Sequence, residues 1–102
     1  MATTRKLQDE LKTLLGSNNV YFQPPKNLQI KYPCIIFSRG AASQEFADNK
    51  TYRLTKRYVV THIGYDADPD IIEKMAEHFS MCSYTEHYVK DNLQHDIFSL
   101  YW

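Results

Sequence analysis

From Tyr58 to Tyr65 the residues alternate as an extended strand requires: Val59, Thr61, Ile63 and Tyr65 share one face, and Tyr58, Val60 and His62 share the other. The pattern predicts one long strand over residues 51–65, so the remaining elements have to be arranged around a sheet that contains it. Val20, Tyr21 and Phe22 read as a short strand stopped by Pro24 and Pro25, which lack the amide donor that a ladder needs. Residues 32–39 read as a further strand, whose apolar run Cys34, Ile35, Ile36 and Phe37 fits a position covered on both faces or lying centrally. Residues 83–89 and 93–102 read as a hairpin closed at Lys90, Asp91 and Asn92. The segment 40–50 is polar apart from Phe46 and reads as a long loop, and long loops often carry function.

Two helices complete the pattern. Leu7, Leu11, Leu14 and Leu15 make one apolar stripe, with Thr3 or Thr4 as a cap and Gly16 placed to end the helix in a left-handed turn. In the second, Asp68 is the expected cap, Pro69 the first helical residue and Asp70 a complement to the dipole. Ile71, Ile72, Met75, Ala76 and Phe79 form its expected buried stripe. Strands outnumber helices and the last pair is a hairpin. The expected fold is therefore one α+β domain over 1–102, an antiparallel or mixed sheet of about four to five strands with both helices on one face. A chain of 102 residues supports one core but not a core plus a deep substrate cleft.

Composition excludes more than it assigns. Twelve basic and twelve acidic side chains cancel, so overall charge gives no case for binding nucleic acid or anionic lipid. The absence of a leader-like or membrane-spanning run predicts synthesis in the cytosol, where Cys34 and Cys82 are expected as free buried thiols. Eight tyrosines are the one excess, divided between strand packing and contacts to partners.

The motifs that could carry chemistry fall short of it. Asp66, Asp68, Asp70 and Glu77 match four offsets of a calcium-binding loop, but Ile71 stands where its glycine belongs and Pro69 interrupts it, so helix capping is the better reading. His62, His78, His87 and His95 include no helical i, i+4 pair, and neither cysteine belongs to a C-x-x-C element. His87 and His95 could face each other across the last hairpin, in a register that the sequence leaves open. No serine or cysteine has an activating frame and SRGAAS has no phosphate-cradling pattern, so no catalytic residue, metal ligand or cofactor is expected. Lys50, Arg53, Lys56 and Arg57 form a basic cluster, with alternation placing Arg53 and Arg57 on one face and Lys56 on the other; a solvated sheet edge is the expected reading.

The segments LGSNNVYFQPP (15–25), KYPCIIFSRG (31–40), FADNKTY (46–52), KRYVVTHIGYDADPD (56–70) and MCSYTEHYVKDNLQHDIFSLYW (81–102) resemble tail-completion proteins of long-tailed bacteriophages, also described as tail terminator or minor capsid proteins. The likeness covers most of the chain after the first helix. It implies a non-enzymatic α+β subunit that assembles into a ring, often a hexamer, on the head-proximal end of the tail tube. Such a ring ends tube polymerisation, docks the head connector and lets DNA pass without specific binding. The implied partners are further copies of the chain, the tail-tube protein and the head-connector protein, with no membrane. The implied location is the head–tail junction of the virion, after synthesis in the host cytoplasm. On this resemblance Phe46, Asp48, Asn49, Tyr52 and Arg53 are expected at interfaces, and Tyr101 and Trp102 at an interface or in the core. The alternatives are a head-completion adaptor on the portal side, and a small regulator that binds nucleic acid or protein through residues 50–57.

Overall fold

A computed structural model describes residues 4–24, 29–40, 43–47, 50–55 and 57–102, and within 43–55 the backbone alone. The order is α1 (Thr4–Leu15), β1 (Val20–Phe22), β2 (Cys34–Arg39), β3 (Ser43–Ala47), β4 (Lys50–Thr55), β5 (Arg57–Gly64), α2 (Ile71–His78), β6 (Cys82–Lys90) and β7 (Leu93–Tyr101). Five strands form a mixed sheet in the order β1-β2-β5-β7-β6, so the fold is α+β as expected. Only the β1–β2 pairing is parallel, and β3 and β4 pair in a two-stranded sheet of their own.

Register defines the two faces, because opposed residues on paired strands project the same way. One row across the sheet is Phe22, Phe37, Val60, Phe98 and Tyr84; the next is Val20, Ile35, His62, Asp96 and His87. The core lies on this face. Val20, Ile35, Phe37, Tyr58, Val60, Phe98 and Leu100 cluster with Leu7 and Leu11 of α1, Ile71 and Met75 of α2, and Phe79. Leu14 and Leu15 extend the α1 stripe at its margin, and Gly16 ends the helix at φ +79° while its amide bonds the Lys12 carbonyl at 2.9 Å. Tyr21, Ile36, Val59, Thr61, Ile97 and Tyr101 occupy the second face half-buried, while Cys34 and Ile63, paired on the same face, are buried. The buried residues of α1 and α2 cluster with the first face.

Four expectations need correction. The segment 40–50 is not one loop: β3 occupies Ser43–Ala47, and its polar side chains give no apolar alternation to reveal a strand that exists by pairing with β4. The strand expected over 51–65 is two strands, β4 and β5, separated at position 56. Arg39 opposes Tyr58 but Ser43 opposes Thr55, so the register changes there and alternation cannot be counted through it. The second helix starts at Ile71 with Asp70 in the capping position, where its side chain makes no cap bond; the Asp68 amide instead donates to Asp66 Oδ1 at 2.9 Å, forming a local turn. Ala76 is exposed, and the buried stripe is Ile71, Met75 and Phe79, spaced four apart.

The β3–β4 pair carries the β2–β5 pairing onward past the end of the main sheet, as a two-stranded arm. The molecule is accordingly elongated, 51 × 27 × 23 Å, with a radius of gyration of 14.7 Å. A compact domain of this length has a radius of about 13 Å.

Candidate functional site

The arm leaves the sheet where β2 ends and β5 begins. At the other end of β5 the chain turns through Tyr65 and Asp66 towards α2, and there a half-open cavity of about 300 Å³ lies between the sheet and the two helices. Leu14, Leu15 and Ile71 supply apolar wall, while His62, Asp66 and Asp70 supply polar atoms. Gly64 packs closely here. A Cβ there would stand 3.3 Å from the Pro33 Cβ and 3.4 Å from the His62 ring, tighter than the usual contact.

His62 reaches this place because alternation carries the helix-side face two residues beyond Val60. It is 5% exposed, and its Nδ1 is buried with no hydrogen-bond partner among the described residues. Burial pushes its pKa below the ordinary 6.5, against the opposing pull of Asp96, Asp70 and Asp66. The ring is therefore neutral near pH 7, with one nitrogen able to accept. Asp96, opposite His62 on β7, is 1% exposed. Its Oδ1 accepts a short bond from the Tyr84 hydroxyl, and its Oδ2 has no partner among the described residues. Tyr84 lies parallel to Phe98 at 5.2 Å, and its bond to Asp96 pushes its pKa up to about 12.

The arrangement offers acceptors without a nucleophile. Cys34 lies on the opposite face, where burial raises its thiol to about 11, and burial raises Cys82 as well. Among the described residues no three His, Cys, Asp or Glu side chains are grouped to hold a metal. The calcium-like spacing from Asp66 to Glu77 is divided by α2, which begins at its sixth position. His87 and His95 do not face each other: Tyr88 opposes and stacks on His95, whereas His87 opposes Asp96 on the other face and bonds Gln94 at 2.9 Å. A two-residue turn with a bulge between Tyr84 and Glu86 sets that register.

No family model matches this chain, and no curated protein matches it. Phe46 lies on β3, and Tyr52 and Arg53 on β4, so all three belong to the arm. Asp48, Asn49 and Lys56 fall outside the described residues. Tyr101 closes β7 on the second face. Trp102 goes the other way and packs edge-on against Phe79 at 5.8 Å, beside the core. Arg57 donates from Nε to Ser99 Oγ at 2.7 Å across the second face, which fixes its guanidinium against the sheet. Among the described residues no helix is long and apolar enough to cross a membrane.

Sequence reasoning missed the Tyr84–Asp96–His62 group. The signal was present in HDIFSL, where Asp96 shares a period with Phe98 and Leu100 and so had to lie on the buried face.

Proposed function

We propose that the chain is a non-enzymatic assembly subunit of the tail-completion type, which caps the head-proximal end of a phage tail tube and presents a docking surface to the head connector. The observation that carries this reading is the arm, a two-stranded ribbon projecting from a sheet of which it is not a member. An isolated ribbon buries little of its own surface and is marginal by itself. It becomes stable and useful when another molecule packs on it. The second sheet face adds a further contact surface, in which Tyr21, Ile36, Val59, Ile97 and Tyr101 are half-buried and lie outside the cluster that holds the helices. The sequence likeness to tail-completion proteins runs through the same arm and strands. A subunit with one projecting element and one broad face suits a ring, where each copy contacts two different neighbours.

The test is to mix purified protein with the cognate tail-tube protein and image the products by electron microscopy. Tubes of fixed length with a ring at one end support the reading. Tubes that grow unchecked and carry no added density defeat it, and binding to portal rings then favours the head-side adaptor. Binding to nucleic acid that falls steeply with salt favours the regulator instead.

A further inference from the structure

The main sheet has two edges of different kinds. β1, three residues long, forms one of them, and α1 reaches it: Gln8 donates from Nε2 to the Val20 carbonyl at 2.9 Å. β6 forms the other over nine residues, and among the described residues no strand pairs with its outer side. Positions 83–90 are exposed throughout, and Tyr84, Tyr88 and Val89 put three large hydrophobic side chains in contact with solvent on this one strand. A long edge of that kind is a template for another strand. Natural edges are often blunted by a bulge, and β6 has one between Tyr84 and Glu86. Beyond the bulge, residues 86–90 pair regularly with β7 as far as the turn.

The turn decides which backbone groups that regular half offers. Lys90 and Leu93 flank the two turn residues, where the carbonyl of the first accepts the amide of the last, so both face inward. Alternation then turns the amides and carbonyls of Val89 and His87 outward. Tyr88 is the middle of residues 86–90, so a second copy of the strand, laid antiparallel about Tyr88, uses all five positions and neither the bulge nor the turn. His87 then faces Val89 of the second copy, outward groups against outward groups. In the same register Glu86 faces Lys90 and Lys90 faces Glu86, the only carboxylate and the only ammonium of β6. Among the described residues neither makes an ion pair within its own chain. We propose that two copies of the chain pair edge to edge, β6 against β6 and antiparallel about Tyr88, joining two five-stranded sheets into one. Tyr88, stacked on His95 at 4.5 Å, meets Tyr88 of the second copy, so four rings run in one row across the joint. The contact relates the same surface on both copies and closes as a dimer, unlike the head-to-tail contacts of a ring. It stands whether or not the chain caps a tail tube.

Five residues a side make a small interface, so in sedimentation velocity the dimer is expected to build up with concentration. Glu86→Lys opposes two positive charges in each pair and Lys90→Glu two negative ones, so each variant alone is expected to dimerise about tenfold or more weakly. Mixed in equal amounts, the two variants are complementary at both pairs and are expected to regain the dimer. The double variant, Glu86→Lys with Lys90→Glu, is expected to regain it alone, and recovery certifies that the altered chains fold. In the unaltered chain the amides of His87 and Val89 are expected to gain protection from hydrogen exchange as concentration rises. Those of Tyr88 and Lys90, turned towards β7, are not. An unaltered chain that stays monomeric overturns the proposal. So do single variants that dimerise as the unaltered chain does, single variants that neither the mixture nor the double change restores, or a dimer that leaves His87 and Val89 unprotected. The tail reading fails separately. Dimerisation through β6 by a protein that ignores tail tubes sinks only that reading, whereas tube capping by a chain that never dimerises sinks only this one.

Discussion

Asp96 is a carboxylate 99% removed from solvent, since 1% of it is exposed, and one hydroxyl bond satisfies one of its oxygens. Removing that hydroxyl leaves a buried acceptor without its donor, which costs more than the bond itself contributes. Tyr84→Phe is therefore expected to lower stability by about 1–3 kcal/mol in urea unfolding at neutral pH. Tyr88→Phe is the control: that ring also stacks on β7, against His95, but on the other face. It should stay within about 0.5 kcal/mol of the unaltered chain, as surface changes usually do. Equal effects from the two would remove Asp96 from the account. His62 makes a prediction in pH. Its folded pKa lies below the ordinary 6.5 because burial disfavours the imidazolium, although Asp96, Asp70 and Asp66 face it. Between those two pKa values the unfolded chain binds more protons, so this contribution is complete above 6.5 and is lost as pH falls through and below it. His62→Gln should flatten the fall in urea midpoint between about pH 7.5 and about pH 5.5. An unchanged slope would assign the acid limb to other groups.

Elements repeat the division between local rule and context. The β6–β7 hairpin closes on Asp91 and Asn92 at φ 54° and 63°, the paired left-handed residues of a type I′ turn, which matches the twist of the flanking strands. Asn tolerates that conformation because its amide can bond locally, whereas Ala meets the full Cβ clash. Asn92→Ala should cost about 1 kcal/mol and Asn92→Gly should cost nothing or stabilise slightly, both read from thermal unfolding. Loss of the difference between the two would mean that the turn relaxes to another type. Both the turn and α1 were legible because their determinants are neighbours in sequence: a left-handed pair between alternating strands, and a leucine stripe ended by Gly16. The start of α2 was misread among three competing aspartates. Asp66 took the turn bond from the Asp68 amide, and the helix began two residues later than expected.

For the molecule as a whole, the division that matters is between a sheet closed on its core by two helices and an arm that belongs to neither. Because β3 and β4 pair only with each other, shortening the arm should not disturb the main ladder. Replacing residues 43–55 with an Asn-Gly turn is expected to shift the unfolding temperature by less than about 4 °C, the equivalent of under 1 kcal/mol. A large loss of stability would mean that the arm packs on its own sheet, and would count against the proposed assembly role. The same split explains a chain with no net charge that still has two ends of different character. Three aspartates gather just before α2, whereas Lys50 and Arg53 of the arm are balanced by Glu45 and Asp48.

Periodicity along the chain sufficed to give an α+β fold, the faces of β5 and the helix stripes, since burial on a strand or helix follows from spacing alone. Three things had to wait for the tertiary structure. A bulge and a two-residue turn decided that His87 would oppose Asp96 and not His95. Pairing with β4 made a strand of the polar Ser43–Ala47. Folding brought α1, the end of β5 and the start of α2 together around one cavity, from residues some fifty positions apart. Register and cavities depend on which segments meet, and local spacing carries no record of that.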